Sequence, residues 1–194
     1  MSVKGSITKS DYLPFEEYQK LVRGLESDGE FKWAAYCLLS FCLALRVSDI
    51  LKLRWADVYE MNGTIVTEKK TGKTKMIPIG KNTQEHISDL YDKMGRPPLR
   101  DFIVTNKNGE PITRQYTNRI VKKWKTKYSL KLGNFSTHTF RKTFGRYVYE
   151  KMGRTQESLV LLNQIFRHTS IQTTMIYIGL RDDETGKLFS SIDV

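Results

Sequence analysis

Cysteine is scarce in this chain of 194 residues, which contains only Cys37 and Cys42. The two are five residues apart in an apolar segment, so a helix would place them on different sides rather than together as a metal or redox pair. Two buried thiols are typical of a reducing compartment. The sequence therefore excludes a disulfide-stabilised scaffold.

Long hydrophobic runs are also absent. The most apolar stretch, residues 33–45, is shorter than the roughly 20 residues of a membrane-spanning helix and contains Ser40. The N-terminal sequence Met-Ser-Val-Lys-Gly-Ser has no apolar core of the kind that a secretory signal requires. We expect no membrane partner and an intracellular, soluble protein.

Acidic residues are missing from residues 111–149, while the whole chain carries a net charge of +11 and has a pI near 9.6. A segment of one charge sign favours a polyanionic partner, although a solvated helix face is the alternative and charge alone does not separate DNA from RNA or anionic lipid. The predicted phosphate contacts are Arg114, Arg119, Lys122, Lys123, Lys125 and Lys142.

The hydrophobic pattern predicts a mainly helical α+β domain with one small antiparallel β-hairpin. Predicted helices cover residues 15–25, 31–45, 84–94, 113–127, 137–152, 156–166 and 171–177, with a last helix in the tail. Predicted strands at residues 63–67 and 75–79 form the hairpin, and residues 102–104 are a candidate edge strand. The helix at 31–45 is apolar on more than one side, so we expect it at the centre of the core.

The sequence contains a His-x-x-Arg element, formed by His138 and Arg141. His138 and Arg141 are three residues apart on a predicted helix, so both side chains can reach one phosphate. An isolated pair of this kind is more often structural. Its position inside the acid-free segment favours phosphate binding.

His168 and Tyr177 would lie about 13.5 Å apart along one unbroken helix, on opposite sides. They converge only if the helix breaks, and Thr169 and Ser170 supply a break and a new N-cap. A packing tyrosine is the alternative for Tyr177. Tyr147 and Tyr149 are rival nucleophiles, for which packing is favoured.

Two further cations complete the set. Arg46 follows the apolar helix and is either a phosphate ligand or the anchor of a carboxylate such as Asp49 or Asp57. Lys70 lies near the predicted hairpin tip, where Lys69, Lys73 and Lys75 are neighbours and a solvated turn residue is the ordinary expectation.

In this order, Arg46 in Leu-Arg-x-Ser-Asp, Lys70-Thr71-Gly72 with Pro78, His138-x-x-Arg141, His168 and Tyr177 resemble the catalytic domain of the tyrosine recombinase (phage integrase) family. The resemblance covers nearly the whole chain. It departs at Ala44 and Arg167, where the family commonly has glycine. Neither change removes a chemical group, but Arg167 bears on the backbone next to His168.

This resemblance implies the family's fold and a site-specific recombinase that joins Tyr177 to a DNA 3′-phosphate. Arg46, Arg141 and His168 would hold the phosphate, with Asp49 supporting Arg46 or His138. His138 would accept the phenol proton and Lys70 would protonate the leaving oxygen. The sequence contains neither a carboxylate cluster with metal-ligand spacing nor a Gly-rich nucleotide loop, so no metal or ATP cofactor is expected.

The resemblance also implies a homotetramer on paired sites of double-stranded DNA, accessory DNA-bending proteins and location at the nucleoid. Residues 1–12 would be a linker or arm, 13–180 the catalytic domain, and 181–194 a tail exchanged between protomers. The chain would be an excised catalytic domain or a naturally short member like the fimbrial-switch invertases. The competing functions are type IB topoisomerase-like relaxation and a non-catalytic DNA- or RNA-binding module.

Overall fold

The fold is mainly helical with one two-stranded antiparallel sheet, as the sequence predicted. The computed structural model describes residues 10–67, 72, 74–180 and 190–192. In these ranges the elements are α1 (Phe15–Ser27), α2 (Phe31–Cys42), α3 (Val47–Ile50), a 3₁₀ turn (Trp55–Asp57), β1 (Gly63–Thr67), β2 (Thr74–Pro78), α4 (Lys81–Lys93), α5 (Arg114–Lys127), α6 (Thr139–Lys151), α7 (Gln156–Phe166) and α8 (Ile171–Tyr177). The predicted tail helix lies outside the described residues.

Helix α2 is the centre of the core, which confirms the expectation from its apolar sequence. Nine of its residues are buried, and it packs against α1, α4 and α6. Burial on every side explains why its sequence has no polar stripe. Cys37 is fully buried inside it, whereas Cys42 at its end is half-buried, and both thiols are free.

Most element bounds lie within three residues of the prediction, and two differences change the local structure. Helix α2 ends at Cys42, three residues before the predicted end, because Ala44 adopts a left-handed backbone with φ 48° that no helix continues through. Arg46 therefore lies at the N-cap of α3 instead of the end of α2. The predicted edge strand at residues 102–104 is only an isolated bridge between Arg54 and Phe102.

A second apolar cluster joins the C-terminal helices, and Tyr177 packs against it. Its buried members are Ala44, Tyr149, Leu159, Leu162, Phe166, Ile178 and Leu180. Gly145 on α6 permits this packing, because an added β-carbon would lie 2.6 Å from Ile178 and 2.8 Å from Phe166. Helix α6 thereby approaches the turn between α7 and α8 closely enough to share a site with it.

The chain segment that leads into α1 is bound to α6. The backbone of Leu13 donates to the Thr143 hydroxyl at 2.9 Å, and the Lys142 ammonium donates to the Ser10 carbonyl at 2.5 Å. The Arg146 guanidinium lies 4.9 Å from the centre of the Tyr12 ring. Residues 10–12, the last three of the predicted linker, are thus packed on α6, and residues 1–9 lie outside the described part.

Among the described residues no helix has the length and apolarity needed to cross a membrane.

Candidate active site

The turn between α7 and α8 brings His168 and Tyr177 together, which confirms the predicted helix break. Arg167 ends α7 in a left-handed conformation, with φ 53° and ψ 50°, and Ser170 begins α8 by accepting a hydrogen bond from Thr173 N at 3.1 Å. As a result the His168 and Tyr177 rings lie 4.9 Å apart, edge to face. The short helix α8 turns the phenol back towards the imidazole.

Arg141 is the buried centre of this site. Its guanidinium donates to the carbonyl of Ala44 and, at 3.1 Å, to that of Phe166, and it lies 4.6 Å from the centre of the Phe166 ring. Guanidinium has five N–H groups, so these two anchors leave three for other partners. The residue is 5% exposed, and its guanidinium is anchored by the loop after α2 and by the end of α7.

Arg46 lies close enough to the other site residues to change their electrostatics. After burial, its positive charge and that of Arg141 contribute to the lowered pKa values of His138 and His168, and both charges oppose the rise that burial causes in the pKa of Tyr177. The charges of two guanidiniums, from the N-cap of α3 and the first turn of α6, therefore act on the same three side chains. Such a pair suits an anion with several oxygens, above all a phosphodiester.

Both histidines of the site are neutral at pH 7. Loss of water around the ring, followed by the charges of Arg141 and Arg46, lowers the pKa of His168 to about 4. For His138 the same loss of water comes first, and the positive charges of Arg114, Arg141, Lys142 and Arg46 also lower its pKa. A neutral imidazole is able to accept a proton, and it donates through one nitrogen only.

The phenol of Tyr177 is protonated in the free protein. Burial raises its pKa above the ordinary value, and this effect exceeds the opposing charge of Arg141, a hydrogen bond from Arg141 and the charge of Arg46. A protonated phenol is a weak nucleophile, so an attack by Tyr177 requires a proton acceptor. The rival tyrosines pack against the core: the rings of Tyr147 and Phe15 lie 4.4 Å apart in a tilted contact, and Tyr149 is buried in the second cluster.

The remaining predicted residues are Asp49 and Lys70. Asp49 is buried on α3, one turn from Arg46, and its carboxylate accepts from the Ser48 hydroxyl at 3.4 Å. The other carboxylate named as an alternative anchor, Asp57, accepts from the Arg54 backbone at 2.7 Å. Lys70 lies outside the described residues, between β1 and β2.

A basic groove leads along α5 to His138. The groove has a volume of about 560 Å³, and Arg114, Lys122 and Lys125 line it from α5. The loop before α6 forms the facing wall, and Lys125 donates to the Gly133 carbonyl at 2.6 Å across it. Arg119 and Lys123 are exposed on α5 beside the groove.

Lys142 differs from the exposed cations of α5 and is buried on α6. It is buried, because its ammonium binds the Ser10 carbonyl and lies 5.3 Å from the centre of the Tyr177 ring. Asn118 on α5 accepts a hydrogen bond from Thr137 N at 3.3 Å. It thereby ties α5 to the start of α6.

The sequence did not predict roles for three residues near the site, Asn163, Thr174 and Gly145. Thr174 is fully buried on α8, where its hydroxyl lies 3.2 Å from Asn163 Nδ2 and 3.0 Å from His168 Nδ1. Gly145 provides the close helix approach described above. A glycine inside a helix costs about 1 kcal/mol relative to alanine, so its presence was a signal of close packing. The two hydrogen-bonding residues gave no comparable signal.

The backbone of Arg167 explains why this position commonly holds glycine in the family that the sequence resembles. A non-glycine residue in the left-handed region costs about 1–2 kcal/mol, whereas glycine costs about 0.5–1 kcal/mol through the unfolded chain. We therefore expect Arg167→Gly to raise the free energy of unfolding by about 0.5–1 kcal/mol. Urea denaturation measures this change, with Arg154→Gly at φ 61° as the matched variant away from the site. A lower stability for Arg167→Gly alone would contradict it.

In the part of the chain that the structure describes, no three His, Cys, Asp or Glu side chains are grouped as metal ligands.

Comparison with known proteins agrees with the geometry. The model of the phage integrase family matches residues 11–184. A probable integrase/recombinase, YoeC of Bacillus subtilis, is 33% identical over 143 residues, which is 73% of this chain and 74% of YoeC. The tyrosine recombinase XerD of Listeria innocua is 28% identical over 142 residues, which is 71% of this chain and 46% of XerD. The chain thus spans about half the length of XerD.

Solved structures share the fold at low sequence identity. The XerA recombinase superposes with a TM-score of 0.70 at 19% identity, over 92% of this chain and 64% of that chain. A lambda integrase tetramer bound to a Holliday junction gives a TM-score of 0.66 at 20% identity, over 93% of this chain and 51% of that chain.

Proposed function

The chain belongs to the phage integrase family, and we propose that it is a site-specific DNA recombinase that cleaves and rejoins strands through a 3′-phosphotyrosyl intermediate. One observation carries the proposal: Tyr177 lies against His168, and the positive charges of Arg46 and Arg141 act on both side chains. This set combines a nucleophile with donors for the charge that builds up on phosphorus during attack.

Arg46 and Arg141 would bind the non-bridging oxygens of the scissile phosphate. Arg141 suits this role because its two backbone anchors hold the guanidinium in place before DNA arrives. Preorganised donors stabilise a transition state without the cost of reorganising during the reaction. His168 would add a third donor, and Asp49 on α3 would support the position of Arg46.

His138 would accept the proton of Tyr177 as the phenol oxygen attacks. The bond between that oxygen and phosphorus forms while the bond from phosphorus to the 5′ oxygen breaks. His138 is neutral at pH 7 because burial and neighbouring cations lower its pKa, so it has a lone pair for the proton. Lys70 would give a proton to the departing 5′ oxygen. Attack by the 5′-hydroxyl of another strand would reverse these steps, without a metal or ATP.

Double-stranded DNA would lie along the basic groove that ends at His138, with its phosphates against Arg114, Lys122 and Lys125. The lambda integrase tetramer on a Holliday junction supports a homotetramer on paired sites as the active assembly. Accessory DNA-bending proteins and a cytoplasmic, nucleoid-associated location complete this proposal.

We also assign the catalytic domain to residues 13–180 and a protomer-exchanging tail to residues 181–194. The tail is mostly outside the described residues, but Ile192 is described and is 59% exposed. An exposed isoleucine suits docking on a neighbouring protomer.

Duplexes with a nick just after the scissile phosphate test the proposed reaction, because loss of the short 5′-hydroxyl strand traps the intermediate. With EDTA present, label 5′ of the cleavage point should move into a protein adduct, and label 3′ of it should not. Adducts that form on the opposite DNA end, or only with added metal, would contradict the mechanism. Products on plasmids separate recombinase from topoisomerase: recombinants require paired sites, whereas relaxation occurs on any supercoiled plasmid.

The groove predicts a specific salt dependence of DNA binding. Each phosphate contact contributes about 0.9 to the slope of log K against log salt concentration. The double variant Arg114→Ala/Lys122→Ala should therefore bind all duplexes more weakly and flatten the slope by about 2. Fluorescence anisotropy between 50 and 200 mM salt, roughly the range where such slopes are clear, measures it. Lys81→Ala, at an exposed lysine on α4 outside the groove, is the control. An unchanged slope in the double variant would show that DNA does not bind along this groove.

A further inference from the structure

A buried hydrogen-bond chain runs from α7 through α8 to the imidazole of the site. Asn163 Nδ2 lies 3.2 Å from the Thr174 hydroxyl, and the same hydroxyl lies 3.0 Å from His168 Nδ1. Thr174 is 0% exposed, so no solvent competes for its hydroxyl. The motif residues on either side of it, His168 and Tyr177, both belong to the proposed catalytic set.

The donor and acceptor capacities of Asn163, Thr174 and His168 decide where the hydrogens lie in these hydrogen bonds. The side-chain nitrogen of Asn163 is a donor only, so the Thr174 oxygen accepts from it. The remaining hydroxyl hydrogen then requires an acceptor. Other buried threonines send this hydrogen to the carbonyl four residues back, as Thr117 does to Thr113 and Thr143 does to Thr139, both at 2.9 Å.

Thr174 differs from them in its partners. Among the described residues, the polar groups bonded to its hydroxyl are Asn163 Nδ2 and His168 Nδ1, and the carbonyl of Ser170 takes the Thr174 backbone N–H. The hydroxyl hydrogen is therefore donated to His168 Nδ1. If Nδ1 carried a hydrogen itself, the buried hydroxyl hydrogen would have no acceptor, and burying such a group costs stability.

We propose that Thr174, held by Asn163, is a positioning residue that fixes His168 as the tautomer with its hydrogen on Nε2. This inference rests on the proposed function for its consequence: the Nε2–H is then the one donor that a neutral His168 offers to a phosphate oxygen. The pKa of His168 near 4 supports it, since a histidinium would donate from both nitrogens and need no such selection.

Imidazole nitrogen NMR tests the tautomer without DNA. The chain has only three histidines, and His86, which lies 2.7 Å from Glu26 on another part of the fold, is an internal reference. At pH 7 the wild-type His168 should show a protonated Nε2 and an unprotonated Nδ1. Thr174→Val keeps the shape but removes the hydroxyl, so His168 should become a mixture of tautomers. A wild-type proton on Nδ1 would mean that the Asn163 amide has the opposite orientation, and this would overturn the proposal.

Single-turnover cleavage supplies the functional test. Removing a transition-state donor costs about 10²–10³-fold in rate. In Thr174→Val only part of the molecules would carry the hydrogen on His168 Nε2, so the loss should be smaller. We therefore expect Thr174→Val to cleave about 10- to 100-fold more slowly. Thr174→Ser restores the hydroxyl and should recover most of the rate. Thr173→Val is the matched control. Thr173 lies on the same helix, and its exposed hydroxyl is hydrogen-bonded to the Ser170 hydroxyl, not to His168 or Asn163.

The two readouts separate this proposal from the proposed function. If wild type forms no covalent adduct but its tautomer is fixed as described, the recombinase assignment fails and the hydrogen-bond assignment stands. If Thr174→Val keeps both a single Nε2–H tautomer and the wild-type cleavage rate, the positioning role is wrong while the recombinase assignment stands. Thermal unfolding of each variant shows that loss of rate does not come from loss of folding.

Discussion

Tyr177→Phe should abolish covalent DNA attachment, with a loss of at least about 10⁴-fold in cleavage rate, because phenylalanine lacks the oxygen that would attack phosphorus. DNA affinity should stay within about twofold, since phenylalanine keeps the ring contacts to Phe166 and His168 at 5.3 and 4.9 Å. Gel-shift binding and denaturing-gel cleavage on one nicked duplex measure both quantities.

The control for this variant is the same substitution at a rival tyrosine. Tyr147→Phe should cleave DNA at a rate close to that of the wild type, because Tyr147 packs against Phe15 and Phe41 in the core. Equal losses in Tyr147→Phe and Tyr177→Phe would mean that the hydroxyl of Tyr177 has no special role. A loss of DNA binding in Tyr177→Phe would likewise contradict the separation of binding from chemistry.

Arg141→Lys should reduce both cleavage and stability. Lysine has no planar fork, so it cannot bind a phosphate bidentately while also donating to the carbonyls of Ala44 and Phe166. We expect a rate loss of about 10²–10³-fold. The free energy of unfolding should fall by about 1–3 kcal/mol, because a buried carbonyl loses its donor. Single-turnover cleavage well below the unfolding temperature and urea denaturation measure the two effects.

Arg46→Lys is the matched comparison for Arg141→Lys. Arg46 is half-buried at the N-cap of α3, so its replacement should lower the cleavage rate with a smaller loss of stability. If Arg141→Lys were as stable as the wild type, the two backbone anchors would not position the guanidinium. Wild-type cleavage by Arg141→Lys would remove Arg141 from the proposed mechanism.

The parts of the fold that sequence predicted well are those where local signals agree. Helix α7 has the predicted bounds, and the break at Thr169 and Ser170 was readable because Ser170 is a good N-cap residue placed just after a histidine that could not otherwise meet Tyr177. The hairpin was predicted to within one residue, from two β-rich runs around a turn.

The failures occurred where distant contacts override local preference. The end of α2 depends on the left-handed backbone of Ala44, whose carbonyl binds Arg141 on another helix. Alanine gives no sequence signal for such a conformation. From the sequence, Lys142 is indistinguishable from a surface cation, because its burial depends on contacts with the Ser10 carbonyl and the Tyr177 ring. In the same way, Asn118 and Thr174 have roles that depend on partners far along the chain or across a turn.

The central claim is that the oxygen of Tyr177 becomes bonded to DNA phosphorus. The most direct measurement traps the adduct on a nicked duplex in EDTA, digests protein and DNA, and maps the nucleotide-bearing peptide by tandem mass spectrometry. We predict a single modified residue, Tyr177, with the phosphate of a 3′ nucleotide attached. An adduct on Tyr147, Tyr149 or any other side chain would contradict the account.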